Sequence, residues 1–241
     1  MLMNMTERQQ DILAKTVFEY IHTAQPVSSQ WLERKYRLSV SSATIRNEMV
    51  VLTEHGFLLQ PYVSAGRVPT DKGYRFFADE VKKNGEQNMR NQARLEEMLQ
   101  EDIEDFFRFA QNMARQVAML SSDVILISVP QEKFVWKEGW ETIVREPEFS
   151  QHEYIVQFAK FLRDLENGIE EFPMEDTAEI FIGQENPFSK VREFSVITCA
   201  YTFPGEIQGI VAIAGPKRMH YDRNLDILQT LVELFEKNQN K

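Results

Sequence analysis

The stretch from Val40 to Gly56, VSSATIRNEMVVLTEHG, constrains the fold most, because it reads as one helix with a marked start, a marked stop and two unlike faces. Ser41 can cap the orphan amides of the first turn, and Gly56 suits a left-handed stop. Ile45, Met49 and Leu52 fall on one side, the side to be buried. The first two turns otherwise offer small or hydrogen-bonding side chains: Ser41, Ser42, Ala43, Thr44, Arg46 and Asn47. A helix of this form can enter a DNA major groove. There Arg pairs with guanine, Asn with adenine, and short side chains permit close approach. An ordinary capped surface helix has the same outline, so the flanking segments carry the decision.

Those segments give a helix, helix, tight turn, helix order. Thr6 can cap a first helix to Ala24, with Ile12, Leu13, Val17, Tyr20 and Ile21 on its apolar face. Gln25-Pro26-Val27 ends it. Ser28 caps a short helix to Tyr36, with Trp31, Leu32 and Tyr36 directed inward. After Gly56, residues 57–60 and 61–70 predict two short strands around a loop, a wing. Ser64 and Gly66 are small enough for close approach to phosphate or minor groove, and Arg67 supplies charge. A plain hairpin with one solvated Arg fits the same residues. Thr70 or Asp71 caps the next helix, whose Tyr74, Phe76 and Phe77 read as core.

Beyond a polar linker at 82–88, a long helix is predicted to about Ser121. Leu99, Ile103, Phe106, Ala110, Met113, Val117 and Leu120 recur with alternating four- and three-residue spacing, a heptad seam. It can pair with a second copy or pack on the chain's own C-terminal domain. Its length favours a dimer that uses it at least in part. Val124–Val129 predicts a buried strand ended by Pro130. Residues 153–167 form an amphipathic helix stopped by Gly168. Residues 178–183, 193–203 and 207–214 predict strands, the last two joined by a Pro204-Gly205 turn, and 221–237 a closing helix. The fold class is α+β with a mainly antiparallel C-terminal sheet.

The runs MTERQQDIL (5–13), VSSATIRNEM (40–49) and SAGRVPTDKGYRFFAD (64–79) resemble the HrcA family of heat-inducible transcription repressors. So do REPEFS (145–150), IFIGQEN (180–186), SVITCAYTF (195–203) and GIVAIAGPKRMHYDR (209–223). The resemblance implies a winged helix-turn-helix DNA-binding domain at 1–83, a linker and long helix at 84–121, and a reduced GAF-like domain at 122–241. It further implies binding to an inverted-repeat operator as a homodimer, with activity dependent on the GroEL-type chaperonin. The DNA contacts would come from Ser41, Ser42, Ala43, Thr44, Arg46, Asn47, Ser64, Gly66 and Arg67. There are departures. Val50 and Val51 stand where the family carries a small residue and an acid, and Tyr62-Val63 where it tends to carry His-Thr. A long family segment between the strand at 124–129 and FVWKEGW (134–140) is missing, with its inserted dimerising subdomain.

Composition limits the alternatives. No apolar run approaches the roughly 18 residues of a membrane span, and MLMNMTERQQ has no signal-peptide core. A single cysteine, Cys199, fits a reducing cytoplasm and, in its apolar strand, reads as inert core. The net charge of −10 is unevenly spread. Residues 1–85 hold 11 Lys+Arg against 9 Asp+Glu, and the remainder 16 against 28. A mildly basic head on an acidic body suits a DNA reader with a second, different domain. His22, His55, His152 and His220 lack metal-ligand spacing. No Gly-rich phosphate loop occurs, so no cofactor, metal or catalytic residue is expected. The alternative to a repressor is a winged-helix protein-interaction module or a small-molecule-sensing regulator.

Overall fold

The computed structural model describes residues 5–84, 95, 97, 106–173, 177–203 and 207–239. The chain divides into two compact units, Met1–Lys83 and Asn84–Lys241.

The first unit opens with α1 (Glu7–Thr23), α2 (Ser29–Tyr36) and α3 (Ser42–Glu54). Each starts on a side-chain cap: Thr6 in a reciprocal capping box with Gln9, Ser28 accepting from Trp31 N, and Ser41 accepting from Thr44 N. These caps satisfy first-turn amides that no helical carbonyl can reach. Ile12, Leu13, Val17 and Ile21 of α1 bury with Leu32, Ile45, Met49 and Leu52. Gly56 ends α3 at φ +74°, and Phe57 N returns to Leu52 O at 2.9 Å, closing the helix as expected. Strands β1 (Leu58–Leu59) and β2 (Val68–Pro69) pair antiparallel around the 60–67 loop. The amide of Gly73 donates to Thr70 Oγ1 at the start of α4 (Asp71–Asn84), and Tyr74 and Phe77 are core.

Trp31 departs from expectation. It is 49% exposed, and Leu32 is the residue α2 buries. Trp31 lies over the rim, because its Nε1 donates to the buried Glu19 carboxylate at 2.9 Å. Tyr36 OH (2.6 Å) and Lys35 Nζ (2.6 Å) share that carboxylate. Burial opposes the charge on Glu19, but the bonds from Lys35, Tyr36 and Trp31 outweigh it and hold its pKa below the usual range.

The second unit is an α+β sandwich. Its sheet runs β4-β3-β7-β6-β5, every neighbour antiparallel, with β3 Val124–Val129, β4 Phe134–Glu138, β5 Glu179–Ile182, β6 Phe194–Phe203 and β7 Ile207–Pro216. All six residues of β3 are buried, because helices cover both faces of the sheet. One face packs Val124, Leu126, Val196, Ile210 and Ala212 under Phe158, Phe161, Leu162 and Leu165 of α7 (His152–Gly168), which follows the single-turn α6 (Trp140–Ile143). The other face meets α5 (Phe106–Ser121) and α8 (Tyr221–Gln239), where Phe106, Phe203, Phe109 and Phe235 form edge-on ring contacts.

Two expectations change here. The long helix is not a segment apart from the sheet domain: its described residues pack into the second unit. Ala110, Met113 and Val117 of the heptad seam are fully buried within this chain, so this part of the seam is not free to pair with a second copy. Leu99 and Ile103 of the seam, and the Pro204-Gly205 turn, lie outside the described residues. The strand β4 has no counterpart among the expected strands. It forms because β3 turns back through a short 3-10 turn at Pro130–Glu132, with Lys133 left-handed at φ 50°. A tight hairpin thus stands where the resemblance implies a longer segment.

Candidate nucleic-acid interface

The exposed face of α3 forms one wall of a groove of about 660 Å³; the 60–67 loop and the start of α2 form the others. Ser42, Ala43, Arg46 and Asn47 line it from α3, and Ser64, Gly66 and Arg67 from the loop. Arg46 and Asn47 are exposed because they point opposite to buried Ile45, Met49 and Leu52. Seven of the nine expected contact residues are therefore brought to one cleft. Ser41 and Thr44 are not among its lining. They cap the helix, with Ser41 Oγ and Thr44 Oγ1 3.1 Å apart and Thr44 N donating to Ser41 Oγ.

The loop is held from three sides. Val27 N donates to Arg67 O (2.9 Å) and Arg67 N to Val27 O (2.8 Å), a bridge that ties the loop's end to the entry of α2. The Arg67 side chain turns back toward α3, Nε donating to Thr53 Oγ1 at 3.0 Å. The Gln60 amide donates to the carbonyls of Val63 and Ala65, both at 2.9 Å. Gly66 packs so tightly on Val27 that any Cβ would overlap the Val27 carbonyl. Its smallness thus already has a structural reason, before any approach to a ligand. The Arg67 pKa is lowered, first by burial and then by the nearby Arg46. The Arg67 guanidinium remains cationic at any ordinary pH.

Among the residues lining the groove none is acidic. Glu48, on the same helix, is turned under instead. Its carboxylate receives Gln9 Nε2 (2.9 Å), Arg8 Nε (2.8 Å) and Arg8 Nη2 (2.5 Å). The Gln9 bond first, then Arg8, holds its pKa below the usual range against the effect of burial. Glu48 gives no periodic signal of this in the sequence, since an acid among apolar neighbours reads as exposed. Ser28, Ser29 and Gln30 also line the groove and were not among the expected contacts. Their polar run just after the Pro26 break is the signal for them. Val50, 39% exposed, places a methyl-bearing surface on the same wall.

Among the described residues no helix is long and apolar enough to cross a membrane, and no three His, Cys, Asp or Glu side chains are grouped to hold a metal.

Comparison with known proteins gives a consistent result. A family model described as the HrcA protein C terminal domain matches residues 49–225. The heat-inducible transcription repressor HrcA of Thermoanaerobacter pseudethanolicus is 26% identical over 330 residues, covering 96% of this chain and 96% of the relative. That of Moorella thermoacetica is 27% identical over 334 residues, covering 96% and 97%. The HrcA of Acaryochloris marina is 45% identical over 130 residues, 54% of this chain and 35% of the relative. The first two alignments are far longer than this chain's 241 residues, so part of each relative has no counterpart here. A solved structure described as a hypothetical protein at 2.2 Å resolution superposes with a TM-score of 0.76 at 21% identity, covering 97% of this chain and 99% of that one, a likeness of fold.

Proposed function

Because the chain belongs to the HrcA family, we propose that it is a transcriptional repressor of heat-shock chaperone genes, acting in the cytoplasm by occluding their promoters. Residues 1–83 serve as a winged helix-turn-helix DNA-binding domain, with α3 the recognition helix and the 60–67 loop the wing. Residues 106–241, α5 included, serve as a reduced GAF-like domain that has no catalytic task. Arg46 and Asn47 read base edges. Ser42 and Ala43 let the backbone approach, Ser41 and Thr44 fix the helix start, and Ser64, Gly66 and Arg67 place the wing beside the duplex.

The observation that carries this reading is the groove's charge. The chain has a net charge of −10, yet the described residues lining this cleft include two arginines and no carboxylate. Such a cleft suits a polyanion and disfavours basic protein surfaces. An inverted-repeat operator calls for two recognition helices related by a two-fold axis, hence a homodimer. By family likeness, the GroEL-type chaperonin maintains the active fold, and repression lifts when unfolded clients occupy it.

A gel shift with salt titration tests the reading. The probe is the duplex upstream of the source genome's chaperonin operon, against a scrambled duplex of equal length. Sequence-selective binding that weakens steeply with salt is expected. Equal affinity for both duplexes, or no binding, refutes it.

A further inference from the structure

The outermost part of the 60–67 loop is not its arginine. Arg67 is drawn back to the base of the loop by Val27 and Thr53. What stands furthest out is an uncharged pair: Val63 is 97% exposed and Tyr62 63%. These side chains gain nothing from the protein's interior, yet the loop that carries them is built to hold still. Ala65 N donates to Tyr62 O at 2.9 Å, the Gln60 amide holds the Val63 and Ala65 carbonyls, and the Val27 bridge locks the base. Loop ordering costs conformational entropy. A tip ordered for its own packing would be folded in, and this one is held outward.

The tip is continuous with the candidate interface, since Gln60, Ser64 and Ala65, on either side of it, line the groove with Arg46 and Asn47. With α3 seated in a major groove, a projection beside it meets the next groove across one phosphate strand, the minor groove. We infer that Tyr62 and Val63 enter the minor groove flanking each half-site and make an apolar, charge-independent contact that selects A·T over G·C pairs there. The reason for the selection is steric and chemical. Guanine places its 2-amino group on the minor-groove floor, where an apolar side chain would bury an unpaired donor, and A·T pairs do not. Apolar wedges in minor grooves also favour steps that deform easily. The inference rests on the DNA-binding reading.

The test uses the full chain and the chaperonin-operon duplex, with the base pairs flanking each half-site changed to A·T, G·C or I·C. An I·C pair resembles G·C in the major groove and A·T in the minor groove. The parent should bind A·T and I·C flanks alike and G·C flanks more weakly. A Tyr62→Ser, Val63→Ser double variant should bind about tenfold more weakly. It should lose the flank preference and keep the parent's salt slope, because no charge was removed. The exposure of both residues leaves the thermal unfolding unchanged, which serves as the folding control. A variant with the parent's affinity and flank response overturns the inference while leaving DNA binding intact. A parent that treats I·C as G·C overturns the minor-groove assignment. A parent that binds no duplex removes the DNA-binding reading itself, and the inference with it.

Discussion

Val27 and Arg67, forty residues apart in the chain, exchange both backbone hydrogen bonds and so join the entry of α2 to the end of the 60–67 loop. The contact is possible only because Gly66, beside Arg67, has no Cβ to strike the Val27 carbonyl. Gly66→Ala should therefore force the loop off α2. A loss of about 1–3 kcal/mol in the stability of the first unit is expected, as for other overpacked sites, with weakened operator binding. Thermal unfolding and a gel shift on the same variant measure both. An unchanged melting curve would mean the loop can retreat without cost.

Arg67→Ala separates charge from bracing. If the guanidinium contributes to the field over the groove, the salt slope of operator binding should fall by about one unit while specificity survives. A slope equal to the parent's would assign Arg67 to holding Thr53 alone.

In the proposed reading, bases are read by Arg46 and Asn47, exposed on the groove wall opposite the buried stripe. Replacing either by Ala should cost about 1–3 kcal/mol on the operator and relax preference at one position. Equal losses on operator and scrambled DNA would instead mark phosphate contacts.

Much of this unit was legible in the sequence for a physical reason. Caps, helix stops and apolar periodicity are local, so Thr6, Ser28, Ser41 and Gly56 announce their roles within a few residues. The grouping of Arg46, Asn47, Ser64 and Arg67 followed from the order of elements. What could not be read was set by contacts distant in sequence. Trp31 is drawn out to Glu19, a partner on another helix. Gly66 is small because of Val27. The α5 seam has a period that suits a second helix or a sheet equally well, and only the pairing of β3 with β7 decides that a sheet lies beneath it. Strand β4 is only partly buried throughout, and its apolar run, Phe134-Val135-Trp136, is three residues long and shows no alternation to mark a strand.

The two units should answer acid differently. In the first, Glu48 and Glu19 have folded pKa values below their ordinary range. Their contribution is fully present above the unfolded glutamate value, about 4.3, and is lost as pH falls through the lower folded values. In the second unit, Asp123 is buried at the start of β3, packed against Gly215 and receiving Asn224 Nδ2 at 2.7 Å. Burial pushes its pKa up to about 7, against the pull of Asn224 and Arg223. A raised carboxyl pKa means that the folded state holds the proton more tightly. Its favourable term is complete below the unfolded value of about 3.9 and fades as pH rises toward 7. Asp123→Asn should raise the melting temperature at pH 8 and flatten its change between pH 5 and 8. A variant that tracks the parent across that range would show Asp123 to be ionised without cost.

The last prediction concerns Met113, because its burial decides between two accounts of the long helix. As a seam between two copies, it would be exposed in a monomer, and truncating it would weaken association. In the structure Met113 is fully buried within one chain, with Ala110 and Val117 on the same stripe, and α5 packs on β3, β4 and α8. Met113→Ala should therefore act on folding: a loss of about 2–5 kcal/mol in the second unit, the usual cost of emptying a buried Met site. Sedimentation equilibrium on the still-folded variant should give the parent's association constant. Any dimer interface must then lie outside the Ala110–Met113–Val117 stripe. A variant that keeps its unfolding free energy but sediments as a monomer would return the seam to the role of a dimer contact and require α5 to leave the sheet in the assembled repressor.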